Sequence, residues 1–222
     1  MKQYYIGVDI GGTGIKSSLV NLMGDIIGPK RYIKTKIDFV NSTNDILNQV
    51  VFEIEQLMMI HSDKSIQGIG IASAGVVDEK KGVIIYSGPT IPGYTGEKIK
   101  EKIEAKFKIP CNVLNDVNAA ALGEVWKEKI VTENPIIYIS LGTGIGGSLI
   151  INNEIISGYS NAAGEVGYID ILGKTWQEIG STSALIRNYL NKKEIISDVN
   201  GKDIFSYFDQ GDKLARQISS LN

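Results

Sequence analysis

The sequence predicts a two-lobed α/β protein that is built from two related halves. Each half opens with an apolar strand, a glycine-rich turn and a second apolar strand. The letters of residues 12–15 recur unchanged at residues 142–145, and the acidic-Ile-Ile run at 25–27 recurs at 154–156. Repetition of this kind indicates an internal duplication. Strands then alternate with helical patterns, in the order βββαβαβα in the first half, which is typical of an α/β fold.

Apolar periodicity predicts the individual elements. Alternating residues predict a three-stranded meander at the start of each half, and continuous apolar runs predict buried strands. A residue that can cap a helix, followed by apolar residues at helical spacing, predicts each helix. The predicted strands are 4–10, 15–21, 25–36, 67–74, one ending at 113–115, 135–141, 145–152 and 154–157, and the predicted helices are 45–61, 95–107, 117–129, 178–191, 202–208 and 212–221.

The lobes are predicted to span residues 1–117 and 118–222. By the logic of the repeat, the second lobe has its opening meander but lacks two closing strands. We therefore expect the second lobe to be incomplete at its C-terminus, and the chain to be a fragment or a shortened form of a longer protein. Exposed strand edges would follow from such an incomplete lobe.

The first glycine turn has the composition of a phosphate-binding loop. Three glycines, Gly11, Gly12 and Gly14, follow a strand that ends near Asp9. Glycines allow the backbone to approach a ligand closely, and successive N–H groups form a concavity that suits an anion. A carboxylate at its mouth can hold a hydrated Mg²⁺. Taken alone, the stretch fits a plain hairpin equally well; Lys16 is either a phosphate contact or a solvated lysine.

The second turn repeats this chemistry at Gly142, Thr143 and Gly144. We expect the two turns to face each other across a cleft and to hold a polyphosphate from both sides. The glycine spacing also fits the dinucleotide-binding pattern, but a strand and not a helix follows, so that match is false. No nucleoside-triphosphate P-loop pattern occurs in the chain.

Composition excludes several classes of protein. With a net charge of −2 and no long basic run among its 222 residues, the chain is expected to bind neither nucleic acid nor a membrane surface. No apolar run is long enough to cross a bilayer. The single cysteine, Cys111, excludes a disulfide framework, and it is expected to be buried packing. The cytoplasm is the expected compartment, and His61 is expected at the surface.

Asn115 and Asp116 lie where a buried strand passes into a helix. Ligands of open α/β sheets bind outside the carboxyl ends of strands. Asp116 is therefore a candidate general base that takes the proton of an attacking hydroxyl, with Asn115 orienting the substrate. The alternative is that Asp116 only caps the helix, since aspartate is a favoured N-cap residue.

Five motifs, in order, resemble those of the ROK-family sugar kinases (repressor, open reading frame, kinase). The resemblance covers nearly the whole chain. The motifs occupy residues 9–16, 70–78, 115–120, 141–147 and 164–168. The resemblance implies the actin-like ATPase fold of the ribonuclease H-like class, with ATP and Mg²⁺ in the cleft between two lobes.

The resemblance also implies a role for individual residues. Asp116 corresponds to the catalytic base, and Asp9 to the Mg²⁺ contact made through water. The implied sugar contacts are Gly75, Asn115, Glu165, Tyr168 and Glu178, and the implied phosphate contacts are Gly11, Gly12, Thr13, Lys16, Gly142, Thr143 and Gly144. A homodimer formed through the second lobe is implied as well.

The chain departs from the family pattern in two ways. Tyr168 stands where most members have a zinc-binding histidine, and no cysteine lies between residues 168 and 178, so no zinc is expected. The glycine-rich adenosine-binding segment of longer members is absent from the 222 residues, which bears on ATP binding. The motifs around residues 88–94 and 178–185 are similar to zinc-free N-acetylmannosamine kinases of Gram-positive bacteria.

Other functions stay open at this point. Glucose, fructose and β-glucosides are alternative substrates within the same family. A non-catalytic sugar-binding fragment without an adenosine site is an alternative from a different class. ROK repressors carry an N-terminal helix-turn-helix, whereas here the phosphate hairpin begins at residue 6, so a repressor is not expected.

Overall fold

The computed structural model describes residues 3–193 and 199–219. The chain forms two compact units, Met1–Ile130 and Val131–Asn222. The predicted boundary between residues 117 and 118 falls within a helix that spans Asp116–Lys127. This helix is part of the first unit, because it packs on the strands that precede it.

The first unit carries a five-stranded sheet flanked by helices. Its elements are β1 (Tyr4–Ile10), β2 (Gly14–Asn21), β3 (Ile26–Lys34), β4 (Ile37–Asp38), β5 (Thr43–Asn44), α1 (Ile46–Ile60), β6 (Ile66–Ser73), β7 (Val76–Asp78), β8 (Val83–Tyr86), α2 (Ile99–Phe107), β9 (Cys111–Asn115) and α3 (Asp116–Lys127). The strand order of the large sheet is β3-β2-β1-β6-β9. The strands β1, β2 and β3 form the predicted antiparallel meander, whereas β6 and β9 run parallel to β1.

The core of the first unit lies on one face of this sheet. Ile6, Val8 and Ile10 alternate along β1 and are at most 3% exposed. They pack with the apolar face of α1, which includes Val50 and Ile54. The alternation of β1 and the helical spacing of α1 therefore predict the same core, as expected for amphipathic elements in contact.

Two features of the first unit differ from the expectation. His61 is buried rather than on the surface, because its ring lies directly over Gly28, and a Cβ there would lie 2.7 Å from Cε1 of His61. The helix predicted from residue 95 begins at Ile99, since Gly96 has a left-handed backbone with φ of 91° that an α-helix does not accommodate.

A buried ion pair joins the sheet to α1. Glu53 is fully buried, and it accepts hydrogen bonds from Arg31 Nε at 2.7 Å and from Arg31 Nη2 at 2.9 Å. The Ser17 hydroxyl donates a third bond at 3.0 Å. The bond to Glu53 raises the pKa of Arg31. These three bonds tie β2 and β3 to the helix behind them.

Cys111 is buried at the first residue of β9, as predicted. Burial and, to a smaller extent, the nearby carboxylate of Glu104 raise the pKa of its thiol to about 12. The same Glu104 side chain accepts a hydrogen bond from the Cys111 backbone N–H at 2.9 Å. The thiol is therefore uncharged at neutral pH and acts as core packing.

The second unit has a smaller sheet and four helices. Its described elements are β10 (Ile136–Leu141), β11 (Ile145–Ile151), β12 (Glu154–Ile155), β13 (Asp170–Ile171), β14 (Lys174–Thr175), α4 (Trp176–Gly180), α5 (Thr182–Lys193), α6 (Gly201–Asp209) and α7 (Lys213–Ser219). The strands β10, β11 and β12 form the predicted second meander. The predicted helix 212–221 is observed up to residue 219, and its last two residues lie outside the described range.

The prediction of a single helix at 178–191 is wrong, because the structure has two helices there. Ser181 has an extended backbone with ψ of 163° and ends α4. Its hydroxyl accepts a hydrogen bond from the Ala184 N–H at 3.1 Å and so caps the start of α5. Within the described residues, no helix has the length and apolar character needed to cross a membrane.

Candidate active site

Three parallel strands of the first unit end side by side. The pairing places Ile10 of β1 opposite Ser73 of β6, and Ser73 opposite Asn115 of β9. Adjacent strands lie about 4.8 Å apart, so β1 and β9 are separated by about 10 Å. The first glycine turn follows β1, and Asp116 follows β9. The fold therefore brings the predicted phosphate turn and the predicted base to one edge of the sheet.

The first turn is closed by its own backbone and by one threonine. Gly11 N–H donates to the Gly14 carbonyl at 3.0 Å. The buried Thr35 hydroxyl donates to the Gly12 carbonyl at 2.8 Å, and the Thr35 N–H donates to the Thr13 carbonyl at 3.3 Å. Because the turn's carbonyls are held in this way, its shape is fixed before any ligand binds. Thr13 at the tip is exposed.

Two side chains lie against the glycines of this turn. A Cβ built on Gly14 would overlap the ring of Tyr32, and a Cβ built on Gly12 would lie 2.7 Å from the methyl group of Thr90. Neither position can carry a side chain without displacing its neighbour. These contacts, and the contact from Thr35, could not be predicted from the sequence, because all three residues are distant from the turn along the chain.

Asp9 and Lys16 face each other at the base of the turn. They are directly paired across β1 and β2, and Lys16 Nζ lies 3.2 Å from Asp9 Oδ2. The lysine side chain is 69% exposed and the aspartate side chain 45% exposed. A pair this open contributes little to stability. Both groups are accessible to a ligand, so Lys16 remains either a phosphate contact or a solvated lysine.

Asn115, and not Asp116, caps α3. The Asn115 side-chain oxygen accepts hydrogen bonds from the N–H groups of Val117 at 2.9 Å and Asn118 at 3.1 Å. The alternative in which Asp116 serves only as the cap is therefore wrong, because the preceding residue already fills that role. Asp116 is the first residue of the helix, and its carboxylate accepts a hydrogen bond from Val117 N–H at 3.0 Å.

The carboxyl group of Asp116 has a pKa above its ordinary value. Burial is the main cause, and the negative charge of Asp9 adds to it, while the bond from Val117 N–H opposes it. The contribution of Asp9 indicates that the two carboxylates lie within electrostatic range of each other. A raised pKa makes a carboxylate a stronger base, which suits a group that accepts a proton.

Gly75 lies beside these residues in the turn after β6. Its φ is 96°, a conformation that favours glycine. A Cβ there would lie 2.5 Å from the Tyr86 carbonyl oxygen, so space also requires glycine. The Asn115 amide donates to the Gly75 carbonyl at 3.0 Å. The structure thus brings Gly75, Asn115 and Asp116 together as the sequence predicts.

The second glycine turn, in the second unit, is one residue shorter than the first. Leu141 pairs with Ile145 and encloses three residues, whereas Ile10 pairs with Ile15 and encloses four. The Gly142 N–H donates to the Gly144 carbonyl at 3.0 Å, and the Gly142 carbonyl accepts from the N–H of Thr182 at the start of α5 at 2.9 Å. Both turns present exposed threonines, Thr13 and Thr143.

The segment of Glu165 and Tyr168 packs against this second turn. The Gly164 carbonyl accepts from the Gly147 N–H of β11 at 2.8 Å. A Cβ on Gly167 would overlap the carbonyl oxygen of Ile145, so the backbone of this segment touches β11 directly. Glu165 is half-buried, and Tyr168 is 56% exposed.

Glu178 is exposed and takes part in a capping box. Its Oε2 accepts from the Thr175 N–H at 2.7 Å and from the Thr175 hydroxyl at 2.8 Å. The backbone bond from Thr175 is the main reason that the pKa of Glu178 is lowered. The side chain is therefore ionised and held at the first turn of α4, a contact that the sequence reasoning did not predict.

No group of three or more metal-ligating side chains is assembled within residues 3–193 and 199–219. Asp9 is a single carboxylate with an exposed side chain. A lone carboxylate of this kind suits Mg²⁺, which keeps most of its water when it binds beside a polyphosphate. The expectation that no zinc is bound remains a prediction.

The first unit is an α/β domain with a glycine turn after β1 and a carboxyl group of raised pKa at the same edge of its sheet, and the second unit carries a related turn after β10. The ROK family description matches residues 5–221. The chain therefore belongs to the ROK family, as the five motifs predict.

The relatives of known structure support the same fold. A ROK-family glucokinase from Streptomyces griseus, solved with glucose and AMPPNP, is 27% identical, with a TM-score of 0.78 over 97% of this chain and 74% of that protein. A Listeria monocytogenes protein, provisionally described as an N-acetylmannosamine kinase, is 28% identical, with a TM-score of 0.80 over 99% and 74%. The predicted actin-like ATPase fold is confirmed.

One relative by sequence is named as an enzyme. The glucokinase of Halalkalibacterium halodurans is 31% identical over 244 residues, which cover 97% of this chain and 72% of that enzyme. The chain thus spans about seven-tenths of this relative's length.

Proposed function

We propose that the chain is an ATP-dependent sugar kinase that phosphorylates a hydroxyl group of a hexose or an N-acetylhexosamine to form the 6-phosphate. The observation that carries this proposal is the placement of Asp116. Its side chain is half-buried and its pKa is raised, mainly by burial and partly by the charge of Asp9 beside the phosphate turn. The names of the relatives agree with this enzyme class.

Asp116 takes the proton of the attacking sugar hydroxyl. Asn115 orients the sugar through its side-chain amide, part of which is already used in other hydrogen bonds. Its side-chain oxygen is used for the helix cap, and one of its two amide hydrogens is used for the Gly75 carbonyl. A primary amide has two donors. The Asn115 side chain also lowers the pKa of Asp116 by a hydrogen bond, so the second N–H lies beside the base, and we assign it to a sugar hydroxyl as well. Gly75 supplies a backbone contact on the same side.

The nucleotide phosphates bind at the glycine turns. The N–H groups of Gly12 and Thr13 contact them in the first unit, with Lys16 adding a positive charge, while Gly11 shapes the turn because its N–H is used by the Gly14 carbonyl. The N–H groups of Thr143 and Gly144 make the matching contacts in the second unit, where the Gly142 N–H is used by the Gly144 carbonyl. Asp9 would hold a hydrated Mg²⁺, which would supply positive charge beside the phosphates. The fixed geometry of the first turn supports this role, since phosphoryl transfer depends mainly on positioning and charge.

The remaining sugar contacts come from the second unit. Glu165 and Tyr168 lie in the segment packed on β11, and Glu178 lies at the start of α4. One oxygen of Glu178 is engaged by Thr175, so we assign the other oxygen to a sugar hydroxyl. The role of each of these residues rests on the family resemblance.

N-acetylmannosamine is our preferred substrate. The Listeria protein with the provisional N-acetylmannosamine kinase description supports this choice. Glucose, supported by the two glucokinases, is the main alternative, with fructose and β-glucosides behind it. A panel of these sugars in a coupled assay of ADP release discriminates between them by their kcat/KM values.

The test of the mechanism is Asp116→Asn. Removing a general base lowers kcat by about 10²- to 10⁴-fold. Asp63→Asn is the matched control, because Asp63 is an exposed carboxylate that pairs only with Lys64 at the far side of the unit, and this variant should keep full activity. Retention of the unaltered chain's kcat in Asp116→Asn would rule out Asp116 as the base.

The second candidate is a sugar-binding protein that does not catalyse phosphorylation. The chain spans 72–74% of the length of these relatives. This candidate predicts sugar binding in calorimetry together with no binding of an ATP analogue. The kinase proposal predicts that both bind.

A cytoplasmic location and a homodimer accompany the kinase proposal. Analytical ultracentrifugation of the purified chain tests the dimer by its mass.

A further inference from the structure

Two asparagine side chains tie a short hairpin to the start of α3. The hairpin consists of β7 and β8, and the residues just before and just after β7 each receive one bond. Asn115 Nδ2 donates to the Gly75 carbonyl at 3.0 Å, before the strand. Asn118 Nδ2 donates to Glu79 Oε1 at 3.0 Å, after the strand. The three-residue strand is thus fastened at both ends to the helix that carries Asp116.

The bond between Asn118 and Glu79 is well placed to act as a rigid link. Asn118 is only 9% exposed, and Glu79 is half-buried. A hydrogen bond to an ionised carboxylate is roughly twice as strong as one between neutral groups. The Asn118 backbone N–H is also held by the Asn115 cap at 3.1 Å. The backbone N–H and the side-chain amide of Asn118 are therefore both held by hydrogen bonds.

The hairpin carries the loop of residues 87–95, which extends towards the phosphate turn. The Ser87 hydroxyl donates to the Ile91 carbonyl at 3.0 Å, which holds the loop compact. The hydroxyl of the buried Tyr94 lies 3.0 Å from the Ser73 hydroxyl at the end of β6. The Thr90 methyl group lies over Gly12. The loop therefore bridges the space between the hairpin and the first glycine turn.

We propose that the bond between Asn118 and Glu79 fixes the position of the β7–β8 hairpin and its loop relative to Asp116. In this proposal the hairpin and the loop form one side of the sugar site. Asn118 and Glu79 are positioning residues, and neither touches the reacting atoms. The bond keeps the β7–β8 hairpin and its loop at a fixed separation from the base, so that the bound hydroxyl lies within reach of the carboxylate. This inference rests on the proposed sugar kinase function.

The test compares Asn118→Ala, Glu79→Ala and the conservative Glu79→Gln. A misplacement of about 1 Å costs on the order of 10²-fold in rate, so the two alanine variants should lose about 10- to 100-fold in kcat/KM for the sugar. The KM for ATP should stay unchanged. Glu79→Gln keeps an acceptor oxygen for Asn118 and should restore most of the lost activity.

Further measurements separate positioning from simple destabilisation. The Asn118→Ala/Glu79→Ala double variant should be no worse than either single variant, because both remove the same bond. Lys80→Ala changes an exposed residue in the same turn and should behave like the unaltered chain. Thermal unfolding of every variant shows that the protein assayed is folded.

Each outcome supports or overturns the inference. Equal losses in the sugar and ATP parameters, additive losses in the double variant, or no rescue by Glu79→Gln would overturn it. If the variants lack turnover for comparison, sugar affinity measured by calorimetry gives the same contrast. An unaltered chain that neither binds nor phosphorylates a sugar would overturn the kinase proposal and this inference together, whereas an active chain indifferent to Asn118→Ala would overturn this inference alone.

Discussion

Replacing Arg31 with methionine tests how strongly the buried ion pair holds the first unit together. The substitution removes two charged donors from Glu53, at 2.7 and 2.9 Å, and leaves only the Ser17 hydroxyl at 3.0 Å. Glu53 has no exposed surface. Removing one partner of a buried pair leaves an uncompensated charge, which costs about 3–5 kcal/mol in the free energy of unfolding.

The size of the effect makes it easy to measure. A loss of 1 kcal/mol lowers the Tm of a domain of this size by about 4 °C, so Arg31→Met should lower it by roughly 10–20 °C. Urea denaturation at pH 7 gives the free energy directly. Replacing both partners, as in Arg31→Met/Glu53→Leu, should recover much of the loss, because no buried charge then remains.

A surface ion pair provides the control. Lys98 lies 3.3 Å from Glu101, and their side chains are 64% and 70% exposed. Lys98→Met should cost no more than about 1 kcal/mol, as is usual for exposed pairs. If Arg31→Met costs no more than this control, or if the double replacement costs as much as the sum of its single replacements, the pair does not anchor β2 and β3 as we infer.

Three further substitutions have defined outcomes. Because burial raises the pKa of Asp116, its ionised form destabilises the native state. This penalty is absent below the ordinary pKa, grows as the pH rises from the ordinary pKa to the raised one, and is complete above the raised one. Asp116→Asn should therefore raise the Tm at pH 7 but not below about pH 4; a lower Tm at pH 7 would contradict this. Gly123→Ala, at an open helical position, should add about 1 kcal/mol of stability in denaturation; a loss would show that the site is not open. Gly167→Ala, whose Cβ would overlap the Ile145 carbonyl oxygen, should cost about 1–3 kcal/mol, whereas Gly142→Ala, in open space, should cost clearly less, and equal costs would exclude the overlap as the cause.

The local parts of the site could be predicted from the sequence. The glycine spacing after β1 and after β10 identifies both turns, because strand, turn and strand are contiguous. Asn115 and Asp116 follow a buried strand, so their place at the carboxyl edge follows from the rule for parallel strands. Which of them caps the helix could not be predicted, since both residue types are favoured caps.

The parts that depend on distant contacts could not be predicted. Thr35 closes the first turn and Tyr32 covers it, yet each lies about twenty residues away with no motif of its own. His61 follows the apolar pattern of α1, and only the close approach of Gly28 shows that it is buried. The break at Ser181 depends on a side-chain cap that competes with a continuous helical pattern.

The second unit repeats the first only in its opening strands. The duplication predicts the turn at residues 142–144 and the meander around it, and both are observed. The one-residue difference between the two turns follows from Gly11, which has no counterpart before Gly142. Side-chain roles such as the capping by Glu178 depend on the fold of the second unit itself, and similarity between the halves does not predict them.

Chemical modification of Cys111 can report local opening of the first unit. It is the sole cysteine of the chain, and it is the buried first residue of β9, the edge strand whose last residue is Asn115. A thiol with a pKa of about 12 reacts with alkylating reagents only when β9 opens to solvent. The rate of its modification therefore reports how often this part of the sheet opens to solvent. The measurement uses the native sequence and needs no introduced label.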